Sequence, residues 1–434
     1  MSTLTKPTVV VLAAALALVA SWRTSGGGSW RPASALSHSS TPGPTVDRGA
    51  FSGRGDLAFV SEGGLWVLDG TTGALIAVAS PARQATDPQF SPSGNWLSYS
   101  LASGQVWLAR SDGRAPRVVG PGAGGRWLPG GELLAGNVVW HVSASGSLSR
   151  VANAPAGLAA WSFDGGRYAF VSDDLTFTKA STGLDRLQVS STLTGKRTTW
   201  YQSRVSFTKS SGAQGNFLDS VFVLPHEEGI LFTLDPDRSA SLAADGVNLY
   251  EIRGPGAQPK KLGIMVGDTV ALGRDGTFAF TNGPDRYAWL TKTLETCSAA
   301  KAECMPVGTA SGELSFDPSW SPDGSELAFV QAPSNSLTTN FYQSTVAQWY
   351  AAHSLWVLRP DTASPSRIKT ADGASVPVWS ADGKSLLYEA NDALWLLPTL
   401  SSKPHFVASP LFTPDDWPSY YGQIDWSDQF AWRS

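Results

Sequence analysis

The sequence predicts an all-β fold, a β-propeller built from four-stranded blades, and three observations predict it. A strand–turn–strand unit, clearest in Asp317-Pro-Ser-Trp-Ser-Pro-Asp-Gly-Ser-Glu-Leu-Ala-Phe-Val330, recurs along the chain. Trp or Phe returns at matching places in the copies. The copies are spaced about 35 to 60 residues apart, which suits a blade of four short strands with loops of variable length. A β-sandwich would share the alternation and the turns but not the matched tryptophans.

Each element of the unit has a physical reason. In Ser-Pro-Asp-Gly, Pro322 presets φ, Asp323 can bond its own backbone and Gly324 tolerates positive φ. Two alternating strands around such a turn read as a hairpin. The Trp that ends the first strand is wide enough to fill the space between twisted neighbouring sheets, so it is read as inter-blade core. Because the Asp of the turn repeats from copy to copy, it is read as a turn-former.

The copies begin near residues 51, 89, 126, 160, 220, 270, 318 and 378. Phe51–Phe59 leads into Leu65–Leu68, Gln89–Leu97 into Gln105–Leu108, and Arg126–Leu134 into Val138–Val142. Ala160–Val171 is a close copy, and Val376–Tyr388, followed by Ala393–Leu397, is closer still. Ser220–Thr233 and Thr269–Phe280 have drifted in lettering but keep the shape. Eight blades are therefore expected, with seven as the alternative if a drifted copy merges with a neighbour. The fragment Gln423–Trp432 matches only the first half of a copy, while the copy at residue 51 is poor in its first strand. Ile424–Ser427 is expected to supply the innermost strand of the first blade and so close the ring.

The unit Trp-Ser-Pro-Asp-Gly-x-x-Leu-Ala-Phe at Trp320–Phe329, followed by Leu355-Trp-Val-Leu358, resembles the repeat of TolB-type bacterial β-propellers. The resemblance covers nearly everything after residue 50. It implies the propeller fold and, as in TolB, a periplasmic protein-interaction module. TolB is usually described with six blades, so a chain with more departs from it, and TolB's particular partner does not transfer.

Before the repeats come two other segments. Residues 1–22 carry Lys6, an apolar run from Val9 to Ala20 and a small residue ahead of Ser21, the layout of a cleaved export signal. The run is too short to span a bilayer fully, and an uncleaved N-terminal anchor is the alternative. Residues 23–50, rich in Ser, Pro, Thr and Gly, read as a disordered tether, leaving 51–434 for the propeller. The chain of 434 residues has a net charge of -4 with 16% charged residues, which speaks against nucleic-acid binding and a polybasic membrane surface. Its 44 Gly and 28 Pro suit a chain that turns often.

Uneven loops locate a candidate site. Early second-to-third-strand loops are minimal (62–64, 103–104), whereas those at about 172–184, 235–246 and 331–353 are long, as is the connection at about 203–217. All four are expected on one face, on the half of the ring carrying blades four to seven. Long loops on a rigid scaffold often bind; neutral insertion is the alternative. Asn340–Tyr350 includes Phe341, Tyr342, Trp349 and Tyr350, either a contact patch for a partner or sugar, or a small loop core. Asp235, Asp237 and Ser239, with Asp245, alternate oxygen ligands as a calcium loop would, but without the glycine and terminal Glu of an EF-hand; a self-bonded turn is preferred and no metal is assigned. Of five His, His226 and His353 lie by or in the long-loop half. Cys297 and Cys304 read as a local disulfide in an exported chain, on the opposite face.

Catalytic motifs are missing: no Gly-x-Ser-x-Gly elbow, no His-Glu-x-x-His, no Gly-rich phosphate loop. No catalytic residue and no cofactor is assigned. The expected function is an exported, non-catalytic, monomeric propeller that is periplasmic, extracellular or anchored to the outer face of the cytoplasmic membrane. It would bind a protein or cell-envelope ligand through its long-loop face, with residues such as Asp235, Asp237, Ser239, Asp245, Phe341, Tyr342, Trp349, Tyr350 and His353. The alternative is a propeller enzyme acting on carbohydrate or peptide at the mouth of the central channel.

Overall fold

A computed structural model describes residues 43–122, 124–266, 269–298, 303–308, 311–334, 343–359, 364–411 and 428–434. The repeating unit becomes a four-stranded antiparallel sheet, as in Ala85–Phe90, Trp96–Leu101, Gln105–Arg110 and Arg117–Pro121, paired in that order. The second strands Asp56–Ser61 and Trp96–Leu101 are buried at every residue. A sheet covered on both faces by neighbouring sheets buries both faces of such a strand, apolar in Leu57–Val60, and in Trp96–Leu101 with the small Ser98 and Ser100 between apolar residues.

The turns form as their residues dictate. Asp323 Oδ1 accepts from Ser321 Oγ at 2.7 Å, from Ser325 N at 3.0 Å and from Ser325 Oγ at 2.7 Å. Led by the Ser321 hydroxyl, these bonds hold its carboxyl down at about 2. Asp382 repeats the pattern with Ser380 Oγ at 2.7 Å and Lys384 N at 3.1 Å. Asp323 and Asp382 thus act as turn-formers.

Consecutive sheets share apolar clusters. Val67 and Leu97 belong to one that joins the first two sheets. Leu108 and Trp127 join the second to the third, Leu134 and Leu158 the third to the fourth, and Leu187 and Phe232 the fourth to the fifth. Leu249 and Phe278 follow, then Ala279 and Phe329, then Leu355 and Trp379. A last cluster unites Leu387 and Val407 with Leu57, Phe59 and Phe430. Each fully buried Phe or Leu contributes about 1.5–3 kcal/mol of transfer free energy.

Three departures from the simple repeat stand out. The strand completing the first sheet is Phe430–Arg433, which pairs antiparallel with Asp56–Ser61; the expected Ile424–Ser427 lies outside the described residues. Arg433 Nη2 meets Asp56 Oδ2 at 3.0 Å, and Trp432 Nε1 donates to Arg54 O at 2.8 Å. The eighth unit gains a fifth strand, because Thr45–Val46, at the end of the expected tether, pairs with His405–Ser409. That pairing covers an otherwise open edge. The fourth and fifth units merge into one eight-stranded sheet. Thr198–Thr208 and Gly212–Val223 are unusually long, 11 and 12 residues, and pair over Val205–Thr208 and Gly212–Gly215.

Candidate functional site on the long-loop face

The segment expected as a long connection at 203–217 is this hairpin, and 172–184 is shortened because Ser181–Ser190 is already strand. The segment 235–246 carries a short helix, α1 (Ala240–Asp245), and 331–353 carries α2 (Gln343–Ala351). In the sixth unit, 283–292 is also an insertion between the second and third strands, Thr277–Asn282 and Thr293–Ser298.

The insertions of the fourth and fifth units are tied together. Asp237 N donates to Gly215 O at 2.7 Å, and Asp237 Oδ1 accepts from Gly215 N at 2.7 Å. Arg238 Nη2 donates to Asp173 Oδ2 at 2.6 Å, and its guanidinium lies 5.0 Å from the Phe177 ring centre and 4.5 Å from that of Phe217. Phe177 packs edge-on against Phe207 at 5.4 Å. Asp235 Oδ1 accepts from Ser239 N at 3.2 Å, while Ser239 Oγ accepts from Leu242 N at 3.4 Å and caps α1. Burial, with the Asp219 carboxylate nearby, pushes Asp235 up to about 7. Burial likewise pushes Asp185, whose Oδ2 accepts from Leu218 N, up to about 6.

The next insertion is built around two cations. Arg286 pairs with Asp245 through Nε and Nη2, and Nη2 also donates to Ser241 O at 3.1 Å. That hydrogen-bonded pairing holds Asp245 below the usual carboxylate range. Lys292, buried at 5% exposure, donates from Nζ to the carbonyls of Asp285 (2.8 Å), Tyr287 (3.1 Å) and Leu290 (2.7 Å). Burial pushes its ammonium down to about 8. Asp245, Pro284, Asp285, Arg286 and Tyr287 line an open pocket of about 450 Å³.

Aromatic side chains close the series. Trp349, 3% exposed, packs with Trp289, Leu314 and Ala332, and its Nε1 donates to Pro333 O at 3.0 Å. Tyr350 and Phe316 lie against it at ring distances of 5.2 and 5.7 Å. His353 stands edge-on to Trp349 at 4.3 Å, and its Nδ1 meets Ser375 Oγ at 3.1 Å. Burial pushes His353 down to about 3, so the ring is neutral. Beside them are two carboxyls, Glu389 buried and Asp317 partly exposed. Glu389, whose Oε1 accepts from Asp392 N at 2.9 Å, is pushed by burial up to about 8, with Asp317 adding to the rise. Asp317, whose Oδ2 accepts from Val376 N at 3.3 Å, is pushed by burial up to about 6. Asp317 and Val376 both have positive φ, 51° and 44°.

Of the residues expected in the 235–246 loop, Asp235 and Ser239 form the self-bonded turn and helix cap that the sequence reading preferred, while Asp237 bonds Gly215 instead. Asp245 turns away to Arg286. Trp349, Tyr350 and His353 fold into a loop core instead of forming an exposed patch, because the Trp289 and Phe316 rings offer them an apolar bed. Phe341 and Tyr342 lie outside the described residues. His226 is exposed, its Nε2 2.7 Å from Arg274 O. Cys297 and Cys304 form a disulfide between the third and fourth strands of the sixth unit. Among the described residues no group of three or more His, Cys, Asp or Glu is placed to hold a metal ion. Among them, too, no helix is long and apolar enough to cross a membrane. The sequence reading missed Arg286, Tyr287 and Lys292. Their signal was there in Asn282-Gly-Pro-Asp-Arg-Tyr-Ala-Trp-Leu290, a turn-rich stretch too long for a simple hairpin.

No protein-family profile matches this chain, and no curated protein matches it either. Solved structures do. TolB from Acinetobacter baumannii is 12% identical, with 82% of this chain and 64% of that one covered and a TM-score of 0.36. Oligogalacturonate lyase from Vibrio parahaemolyticus is 13% identical, covering 81% and 86% with a TM-score of 0.39. A prolyl endopeptidase is 11% identical, covering 83% of this chain and 50% of its own, with a TM-score of 0.43.

Proposed function

We propose that this chain is an exported, non-catalytic β-propeller that binds a protein or cell-envelope ligand through the long-loop face of its fourth to seventh units. One observation carries the reading: the insertions crowd onto consecutive units and are braced to one another, by Asp237 on Gly215, Arg238 on Asp173 and Arg286 on Asp245. Neutral insertions have no need of such bracing. A surface held in one conformation loses little entropy on binding. Among the described residues, the second-to-third-strand loops of the first two units are tight, 62–63 and 102–104.

The scaffold of this reading is eight blades, the merged sheet counting as two, in a closed ring. The pairing of Phe430–Arg433 with Asp56–Ser61 and the cluster shared by the eighth and first units support closure. The N-terminal segment is read as the export signal or anchor.

The test is capture from envelope extracts by residues 43–434, compared with a variant in which 335–351 is replaced by a short Gly-Ser turn. Loss of a captured component in the variant supports the chosen face; an unchanged set overturns it. The enzyme reading draws on Asp317 and Glu389 lying within electrostatic reach of each other and of Tyr350. Glu389 is only 4% exposed, which keeps a substrate off it. Turnover of an oligosaccharide or peptide that Glu389→Gln abolishes would reinstate that reading.

A further inference from the structure

We infer that the seam between the sixth and seventh units is a site for ordered water, bridging Thr269 and Thr281 on one wall to Ser315 and Gln331 on the other. The inference goes beyond the binding role proposed above and does not depend on it.

Strand alternation brings the four side chains to one place. Ala279 and Leu294 of the sixth unit pack with Leu327 and Phe329 of the seventh. Thr281 lies two residues beyond Ala279 and directly opposite Leu294, so it faces the seventh unit as they do. Gln331 lies two residues beyond Phe329 and so faces the sixth unit. Each has a neighbour within its own sheet, and directly opposed residues share a face. Thr281 N donates to Thr269 O at 3.3 Å, which sets the two threonines side by side, and Ser315 stands opposite Gln331. Two polar pairs thus confront each other at the end of an apolar layer. Ser315 N also donates to Lys292 O at 3.2 Å, which places the seam at the root of the sixth unit's insertion.

Among the described residues, Thr269 Oγ1, Thr281 Oγ1, Ser315 Oγ and Gln331 Nε2 are covered and have no hydrogen-bond partner. Thr281, Ser315 and Gln331 are at most 4% exposed. Native chains leave few buried polar atoms unpaired, and four at one seam point to a shared partner. Facing sheets lie about 10 Å apart. Leu327 and Phe329 fill that gap one layer away, whereas two Thr and one Ser do not reach across it. A buried water takes about two to four polar partners and little more room than its own volume. The chemistry selects water over an ion. Three hydroxyls that donate or accept and one amide that donates carry no net charge. The nearby Lys292 ammonium uses its three donors on the carbonyls of Asp285, Tyr287 and Leu290.

The sign of a stability change tests this. Thr281→Val and Ser315→Ala each remove one hydroxyl with little change of shape. If water bridges the walls, each variant strips a bond from it and lowers the melting temperature, and the double variant loses less than the sum of the two. If the hydroxyls are unpaired, removing them relieves an unmet polar group, so a raised melting temperature in both single variants overturns the site. A high-resolution crystal structure of the protein decides independently of how the variants fold. Ordered water density within hydrogen-bond reach of both Thr281 Oγ1 and Gln331 Nε2 is expected. A dry seam, or an anomalous peak there after a bromide soak, overturns the assignment to water.

Discussion

Asp237 and Gly215 grip each other twice, N to O and Oδ1 to N, both at 2.7 Å, and so tie the fifth unit's insertion to the hairpin leaving the fourth. Gly215 has a φ of 113°, and a Cβ there would stand 2.7 Å from Arg204 O. Gly215→Val is therefore expected to cost about 1–3 kcal/mol and to open the tip near Thr208 to proteolysis. Asp237→Ala, which removes only one of the two bonds, should cost about 0.5–1.5 kcal/mol. Denaturant melts and limited proteolysis check both.

The raised carboxyls make a pH dependence whose sign can be worked out. Glu389 at about 8 and Asp235 at about 7 hold protons in the folded chain that the unfolded chain has released above its ordinary carboxylate range. Folded protein therefore binds more protons than unfolded, and stability falls as pH rises through these values. His353 works in the other direction, since it is neutral when folded and would charge on unfolding, but only below about pH 6.5. Between pH 6.5 and 7 the carboxyls act alone and the melting temperature should drop; nearer pH 8 Lys292, pushed down to about 8 by burial, begins to act in the opposite direction because the unfolded chain keeps its proton. Glu389→Gln should flatten that slope and add at least about 1.4 kcal/mol at pH 8, the equivalent of one pKa unit.

Trp349 anchors α2 by its ring and by its bond to Pro333 O. Trp349→Ala should cost about 3 kcal/mol or more, as for a buried aromatic elsewhere. The loss should be seen first as faster amide exchange in 343–353, with the strands of the first two units unaffected.

The pairing of Phe430–Arg433 with Asp56–Ser61 predicts that a chain ending at residue 429 loses the inner strand of the first unit and the Arg433–Asp56 ion pair. It should melt well below the full chain and bind hydrophobic dyes. A truncated chain with an unchanged melting curve would refute ring closure.

How much of this was legible in the sequence follows from where the physics is local. Asp323 and Gly324 act on residues within a few positions and Trp320 returns at matching places in the copies, so turns, strands and inter-sheet cores could be read from lettering alone. The insertions were visible as lengths. Their internal order was not, because it depends on partners far along the chain. Arg238 finds Asp173 across 65 residues, and Arg286 finds Asp245 across 41. Trp349 could have faced outward; only the arrival of Trp289 and Phe316 from other strands decides that it faces in. The joining of the fourth and fifth units was legible only as the alternative in which a drifted copy merges with a neighbour, since Gly212–Gly215 reads as a connection until Val205–Thr208 is placed beside it.

The strand Asp56–Ser61 has one neighbour, Gly64–Asp69, that is made within moments of it, and another, Phe430–Arg433, that is made very late. Trp432 and the Arg54 carbonyl it reaches are 378 residues apart. At ordinary rates of translation that is a wait of roughly 20–75 s, during which a strand with the apolar run Leu57–Val60 keeps an open hydrogen-bonding edge. Every molecule of this protein thus passes through a stage in which it can pair with another copy as readily as with itself. Its yield in the cell should depend less on its final stability than on what shields that edge until synthesis ends, whether a holding chaperone or export in an unfolded state.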